Sequence, residues 1–421
     1  MSSRTIVIGS SPVANGSAVA LTNSKEKGVG IFRDEEQAEA VHATSRRATN
    51  CELGRRHFLH AIGAIGAIGL CESQFASGAA AAERPGAEEG VFDLGTFALE
   101  SGMLLPNAKI AYKTHGRLNA AKSNAILYPT QIAAQHGDIE WPIGPGKALD
   151  PERYFIVILD QLGNGLSSSP SNSPAPYDRA RFPTITIRDD VAAQHRLVTE
   201  RLGIRRVALV VGYSMGAQQT YQWAASHPDM VERIAPFCGT AKTTPHNTVF
   251  LQGLRAALTA DAAWMGGDYR EQPVLGMRAF ARVYAGWGLS QPFYKQELWR
   301  QMGFDSLASF LTGFWEQRYG RRDANNLLSM VRTWELNDLG ATPGMGGSLE
   351  HALGAIKAKT TVMAGQTDMY FTAEDMKAEA AYIPGAQFRV IPSLWGHMAG
   401  AGLNPADSKF IETEIKALLS S

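Results

Sequence analysis

The stretch Val207-Ala-Leu-Val-Val-Gly-Tyr-Ser-Met-Gly-Ala-Gln-Gln-Thr-Tyr-Gln-Trp-Ala224 decides how this chain folds. Residues 207–211 form a short, β-branched apolar run of the kind that makes a buried strand. From Met215 onward the pattern becomes helical, so the chain passes from strand to helix within a few residues. Gly212 and Gly216 stand two residues either side of Ser214. Side chains at those positions would collide with so tight a turn, which requires glycine at both. Gly-x-Ser-x-Gly alone is a weak signal in a chain with 42 glycines. The strand before it and the helix after it make it specific, and they hold Ser214 out at the carboxyl end of a sheet.

Outward from this turn, short apolar runs alternate with helical patterns from Val91 to the end, the signature of a parallel sheet with helices on its faces. Residues 92–99 and 109–114 read as an opening antiparallel pair, with Gly102 and Pro106-Asn107 in the connection. Residues 125–128, 154–159, 207–211 and 234–237 read as central strands, and 360–364 and 387–391 bring the total to eight. Between Thr240 and about Leu353 no strand pattern occurs, and Trp, Met, Phe and Ala recur at helical spacing. The expected architecture is a mostly parallel eight-stranded α/β sheet flanked by helices, built from residues 91–239 and 354–421, with a helical cap, 240–353, inserted between strands 6 and 7.

A serine hydroxyl is a poor nucleophile at neutral pH and needs a base, and the base needs an anion to fix its tautomer and stabilise its cation. After an elbow of this kind the acid and then the histidine follow on later strand ends. Asp368 closes Ala364-Gly-Gln-Thr-Asp368 after the seventh strand, with Glu374 and Asp375 as lesser choices. His397 closes Ser393-Leu-Trp-Gly-His397 after the eighth. Of the 10 histidines none but His397 has this position and order. His195, His227 and His351 fall on helical patterns, His115 in the first hairpin, and His136 and His246 are left as binding candidates. A developing oxyanion needs two preorganised donors. The backbone N–H of Met215 is one, and Ile132 in Tyr128-Pro-Thr-Gln-Ile-Ala-Ala134 is the choice for the other, with Gln131 next. Asp160, in Asp160-Gln-Leu-Gly-Asn-Gly-Leu-Ser167, reads as a residue that holds its loop.

Lys plus Arg and Asp plus Glu number 40 each, which gives nucleic acid or an anionic membrane little to grip and favours a small-molecule substrate. Cys51, Cys71 and Cys238 have no metal-knuckle or redox spacing, so neither a metal nor any other cofactor is indicated. Cys238, in an apolar run, reads as a buried structural thiol. Residues 54–70 pair Arg55-Arg56 with a Gly-rich apolar stretch too short to span a bilayer, which resembles a twin-arginine export signal. The small residues up to Ala82 suit cleavage near Ala80 to Ala82, so residues 1–82 are read as an extension and address, destined for the periplasm or beyond, with no stable membrane anchor. An apolar N-terminal helix in a cytoplasmic protein is the other reading.

From about residue 92 onward the chain resembles the homoserine O-acetyltransferase family of the α/β-hydrolase superfamily, in particular its hydrolase-like members. The likeness is carried by Ile143-Gly-Pro-Gly-Lys-Ala-Leu-Asp150 with Arg153-Tyr-Phe155, by Gly212-Tyr-Ser-Met-Gly216 with Gln218 and Trp223-Ala224, and by the Asp368 and Gly396-His397 segments. The resemblance implies the α/β-hydrolase fold, acylation of Ser214 followed by transfer to a hydroxyl or to water, and a homodimer through the cap. It also aligns Arg255 with an arginine that holds a substrate carboxylate. Two departures bear on the substrate. Tyr213 and Ala217 replace glycines of the family's elbow, which makes Tyr213 a candidate substrate contact. Met398 replaces the aspartate that holds homoserine's amino group, and a thioether leaves an ammonium without its charge partner. The expectation is an exported ester hydrolase with no cofactor; a cytosolic O-acyltransferase is the alternative. The cap aromatics Trp264, Tyr284, Trp287, Phe293, Tyr294, Trp299, Phe314 and Trp315 read as acyl-pocket lining or, more simply, as the cap's own core.

Overall fold

The computed structural model describes residues 86–421; the paired arginine, the apolar stretch and the cleavage region lie outside the described residues. Eight strands form one sheet in the order β1-β2-β4-β3-β5-β6-β7-β8. They are β1 (Glu88–Ala98), β2 (Leu104–His115), β3 (Ala125–Pro129), β4 (Phe155–Leu159), β5 (Leu209–Tyr213), β6 (Arg233–Phe237), β7 (Lys359–Gly365) and β8 (Gln387–Ile391). β1 with β2, and β2 with β4, pair antiparallel, and every other pair is parallel. The central strands are buried on both faces, which is why they read as continuous apolar runs, whereas β1 is mostly exposed or half-buried and buries only Leu94 and Phe97.

From β3 the chain steps one way to β4, then crosses back to β5 on the other side. That reversal opens a crevice beyond the carboxyl ends of β3 and β5. The loop after β3 and the serine turn after β5 therefore face one another.

Pro106 and Asn107 do not belong to the first connection, as the sequence suggested, but lie inside β2. Register shifts in β1 between Asp93, Gly95 and Phe97 fall opposite them, and Asn107 has a φ of 52°. Proline has no N–H to give to the ladder, so the irregular pairing absorbs it. The connection shrinks to a turn around Gly102, whose φ is 82°.

Helices α1 (Ile187–Arg196) and α2 (Met215–Ser226) precede and follow β5. Between β6 and β7 come α3 (Pro245–Thr259), α4 (Val274–Gly288), α5 (Gln291–Lys295), α6 (Leu307–Phe310), α7 (Gln317–Gly320), α8 (Ala324–Glu335) and α9 (Leu349–Gly354). Thr244 starts α3 by accepting from the Asn247 N–H, with Pro245 in the first turn, where its missing N–H costs nothing. Tyr284, Phe293, Trp299 and Trp315 are buried, and Trp264, Trp287, Tyr294 and Phe314 pack partly buried against them, so these aromatics form the helices' own core. α10 (Ala373–Ala380) and α11 (Pro405–Leu419) complete the chain. Among the described residues no helix is long and apolar enough to cross a membrane.

Candidate active site

Ser214 has φ 59° and ψ −123°, a strained conformation for a residue with a Cβ. Backbone bonds hold it on both sides: its N–H donates to Phe237 O at 3.0 Å, and its carbonyl accepts from Ala217 and Gln218. A Cβ on Gly212 would lie 2.1 Å from the Gly216 carbonyl oxygen, and one on Gly216 would lie 2.6 Å from that of Pro129. Gly212 thus makes room for the start of α2, and Gly216 for the end of β3. A third glycine is required at Gly239, where a Cβ would lie 2.5 Å from the Ser214 carbonyl oxygen, a close approach just beyond the ends of β5 and β6 that no local pattern announces.

His397 lies on a short turn, Gly396–Gly400, after β8, and Asp368 in the loop after β7. His397 Nε2 is 3.0 Å from Ser214 Oγ, and His397 Nδ1 is 2.7 Å from Asp368 Oδ2. The other Asp368 oxygen accepts from the backbone N–H groups of Tyr370 at 3.2 Å and Phe371 at 3.1 Å. With one oxygen so anchored, the second is aimed at the imidazole. Ser214, Asp368 and His397 are all buried, where charge interactions are stronger than in water. Asp375 is engaged instead by Thr372, whose hydroxyl donates to it at 2.8 Å at the start of α10.

The rings around His397 are a feature that sequence reasoning missed. Tyr213 stacks on it at 4.8 Å, Tyr370 lies at 4.5 Å and Phe371 at 5.6 Å. The Tyr213 hydroxyl donates to the His397 carbonyl at 3.0 Å, so this side chain supports the histidine. The aromatic pair after Asp368 is visible in the sequence, but nothing local shows that it reaches a residue beyond β8.

Met215 is the first residue of α2, so its N–H has no acceptor within the helix and points with the helix dipole. Ile132 and Gln131 are buried in the facing loop after β3. That loop is tied down at several points: Thr130 N–H donates to Leu159 O at 2.9 Å, Gln219 Nε2 to Thr130 O at 2.9 Å, and Arg322 Nε to Ala133 O at 2.6 Å. Arg322, which lies between α7 and α8, also pairs with Asp138. His136 braces the same loop, with its N–H donating to Asp160 Oδ1 at 3.0 Å and its Nδ1 2.6 Å from Oδ2. Burial disfavours the His136 cation, but Asp160 and Glu89 outweigh it and hold the imidazole above its ordinary value. Asp160 therefore holds its loop, as its sequence context suggested.

Met398 follows His397 and is buried. Arg255 is 3.7 Å from Glu335 and lines a cavity with Arg179, Arg332 and Trp264, a cavity that Ser214, Asp368 and His397 do not line. His246 packs on Trp287 at 4.9 Å. Cys238 is fully buried, and burial pushes its thiol well above the ordinary range.

A buried serine, imidazole and carboxylate in hydrogen-bond succession, at the reversal point of a mostly parallel sheet, is an arrangement suited to acyl transfer. The chain belongs to the alpha/beta hydrolase fold family, which its residues 124–400 match. It is 40% identical over 334 residues to an ethyl acetate hydrolase of Pseudomonas veronii, covering 79% of this chain and 95% of that one. The solved structure of the acetyl esterase MekB superposes with a TM-score of 0.78 at 40% identity, over 79% of this chain and 97% of the other. A homoserine O-acetyltransferase of Chlorobaculum parvum is 32% identical over 315 residues, 72% of this chain and 87% of that one.

Proposed function

We propose that the chain hydrolyses short-chain carboxylic esters through an acyl-enzyme on Ser214. The observation that carries this reading is the unbroken relay from Ser214 Oγ to His397 Nε2 at 3.0 Å and from His397 Nδ1 to Asp368 at 2.7 Å. Ser214 Oγ attacks the ester carbon while His397 takes its proton, and Asp368 orients the ring and stabilises the imidazolium. The oxygen that becomes negative is received by the N–H groups of Met215 and Ile132. His397 then gives its proton to the departing alkoxide. In the second half water attacks the acyl carbon, losing a proton to His397, which returns it to Ser214 as the acid leaves.

A nucleophile this deeply buried suits a small acyl group, in keeping with the acetyl-ester and ethyl acetate hydrolases to which the chain is similar. Water is the acceptor in this reading because Met398 offers no charge to an amino-acid ammonium. Export rests on the Arg55-Arg56 segment, and a reporter fused behind residues 1–82 reads it; a dimer through the helices between β6 and β7 rests on family likeness and is read from the mass in solution. The chain lacking residues 1–82 is expected to cleave short-chain aryl esters, and Ser214→Ala to remove that activity by roughly 10⁴-fold or more with little change in thermal stability. A folded protein that cleaves none of these esters, or a Ser214→Ala variant that retains its rate, overturns the reading.

A further inference from the structure

Gln219, on α2, is fully buried, and its side-chain nitrogen donates to two carbonyl oxygens at once, that of Thr130 at 2.9 Å and that of Met215 at 3.2 Å. Thr130 lies at the start of the loop after β3, just before Gln131 and Ile132, and Met215 is the residue whose own N–H opens α2. One amide therefore clips together the two segments that present N–H groups to the developing oxyanion. Backbone pairing does not do this, because the β3–β5 ladder stops at Leu127 and Val210, well short of both segments. Gly216 supplies only room for their approach, as a Cβ there would lie 2.6 Å from the Pro129 carbonyl oxygen.

The direction of this amide is set from further away. The Trp223 indole N–H, which can only donate, lies 2.8 Å from Gln194 Oε1, and Gln194 Nε2 lies 2.6 Å from Gln219 Oε1. With its oxygen taken by the indole, Gln194 offers its nitrogen to Gln219. That turns the Gln219 oxygen toward Gln194 and its nitrogen toward the two carbonyls. The opposite orientation would set oxygen against oxygen at these contacts. Trp223, Gln194, Gln219, Thr130 and Met215 are all buried, so these groups depend on one another for partners. Two glutamines in such a core are costly unless their bonds are made, and the bonds end on the oxyanion segments.

We propose that Gln219 is a positioning residue of the oxyanion hole: its amide, oriented by Trp223 through Gln194, fixes the loop after β3 against the start of α2 and so sets the spacing of the two N–H donors. This rests on the ester-hydrolase reading above. Donors act on the transition state only if they stand at the distance the oxyanion requires before it forms. A loop freed from α2 would still admit the ester but would stabilise the oxyanion poorly, because a small misplacement of aligned groups is felt chiefly in the chemical step.

The experiment compares the wild type with Gln219→Met, which keeps the volume and removes the amide, and with Gln194→Met, which touches neither segment and breaks the relay behind it. Steady-state kinetics on an aryl acetate are read together with inhibition by trifluoromethyl butyl ketone. Ser214 Oγ adds to the carbonyl carbon of this ketone, its proton passes to His397, and the carbonyl oxygen becomes the anion that the donors receive. Gln219→Met is expected to lower kcat by on the order of 10- to 100-fold, with KM within about twofold of the wild type and ketone affinity falling in proportion to kcat. The acid limb of the pH profile, which reports His397, is expected to stay in place. Gln194→Met is expected to show a smaller loss in the same sense. An unchanged kcat in Gln219→Met, a loss carried by KM, or a displaced acid limb overturns the proposal while leaving ester hydrolysis standing. Should Gln219→Met not fold, Gln194→Met decides: a joint loss of kcat and ketone affinity supports the relay, and full activity overturns it. A folded wild type that cleaves no ester overturns both readings.

Discussion

Tyr213, beside Ser214, braces His397 in two ways. It occupies the variable position of the Gly-x-Ser-x-Gly turn, and its hydroxyl spans from β5 to the carbonyl of His397 at 3.0 Å while its ring supports the imidazole. Tyr213→Phe keeps the stack and removes the hydrogen bond. We expect a loss of about 1 kcal/mol in stability and a several-fold fall in kcat with KM nearly constant, read by thermal unfolding and steady-state kinetics on an aryl acetate. An unchanged kcat would mean that His397 is held by packing alone. The sequence made Ser214, Asp368 and His397 legible because strand, elbow and chain order constrain them. It made Tyr213 visible as a departure from the family's glycine but not interpretable, since its partner lies on another strand end.

At the scale of elements, strand ends and helix starts must be pinned for three loops to converge. α10 does this for the chain leaving β6: Glu379 accepts from the N–H groups of Ala241 at 2.7 Å and Lys242 at 3.2 Å. Burial outweighs those two bonds and pushes the Glu379 carboxyl up from 4.5 to about 8. A group whose folded pKa is raised contributes stability that is complete below its unfolded value and is lost as pH rises through the folded one. From about pH 5 to 8 this group alone therefore weakens the fold, by at most roughly 1.4 kcal/mol per pH unit. Glu379→Gln cannot ionise, so its unfolding free energy is expected to fall less steeply over that window than the wild type's in matched denaturant titrations. Parallel curves would contradict the assignment. The elements themselves were largely readable, with all eight strands found within a few residues of their ends. The exception is instructive: Pro106-Asn107 resembles turn chemistry, and only the register shifts opposite it in β1 show that a strand has absorbed it.

For the whole molecule, the sheet order puts the loops after β3, β5, β7 and β8 at one edge, and the helices between β6 and β7 tie onto that edge through Arg322 and Ala133. Alternation of apolar runs with helical patterns made the sheet class legible, because periodicity is local. How the inserted helices are seated was not, because that depends on side chains meeting across nearly 190 residues of chain. In the function proposed above, this arrangement makes Ser214 nucleophilic through the buried imidazole of His397. Active-site labelling with a fluorophosphonate, located by mass spectrometry of the digested protein, tests this most directly. One adduct per chain on the peptide carrying Ser214, formed by the wild type and lost or greatly slowed in His397→Ala, is the predicted result; an adduct on another residue, or equal labelling rates in the two proteins, would contradict it.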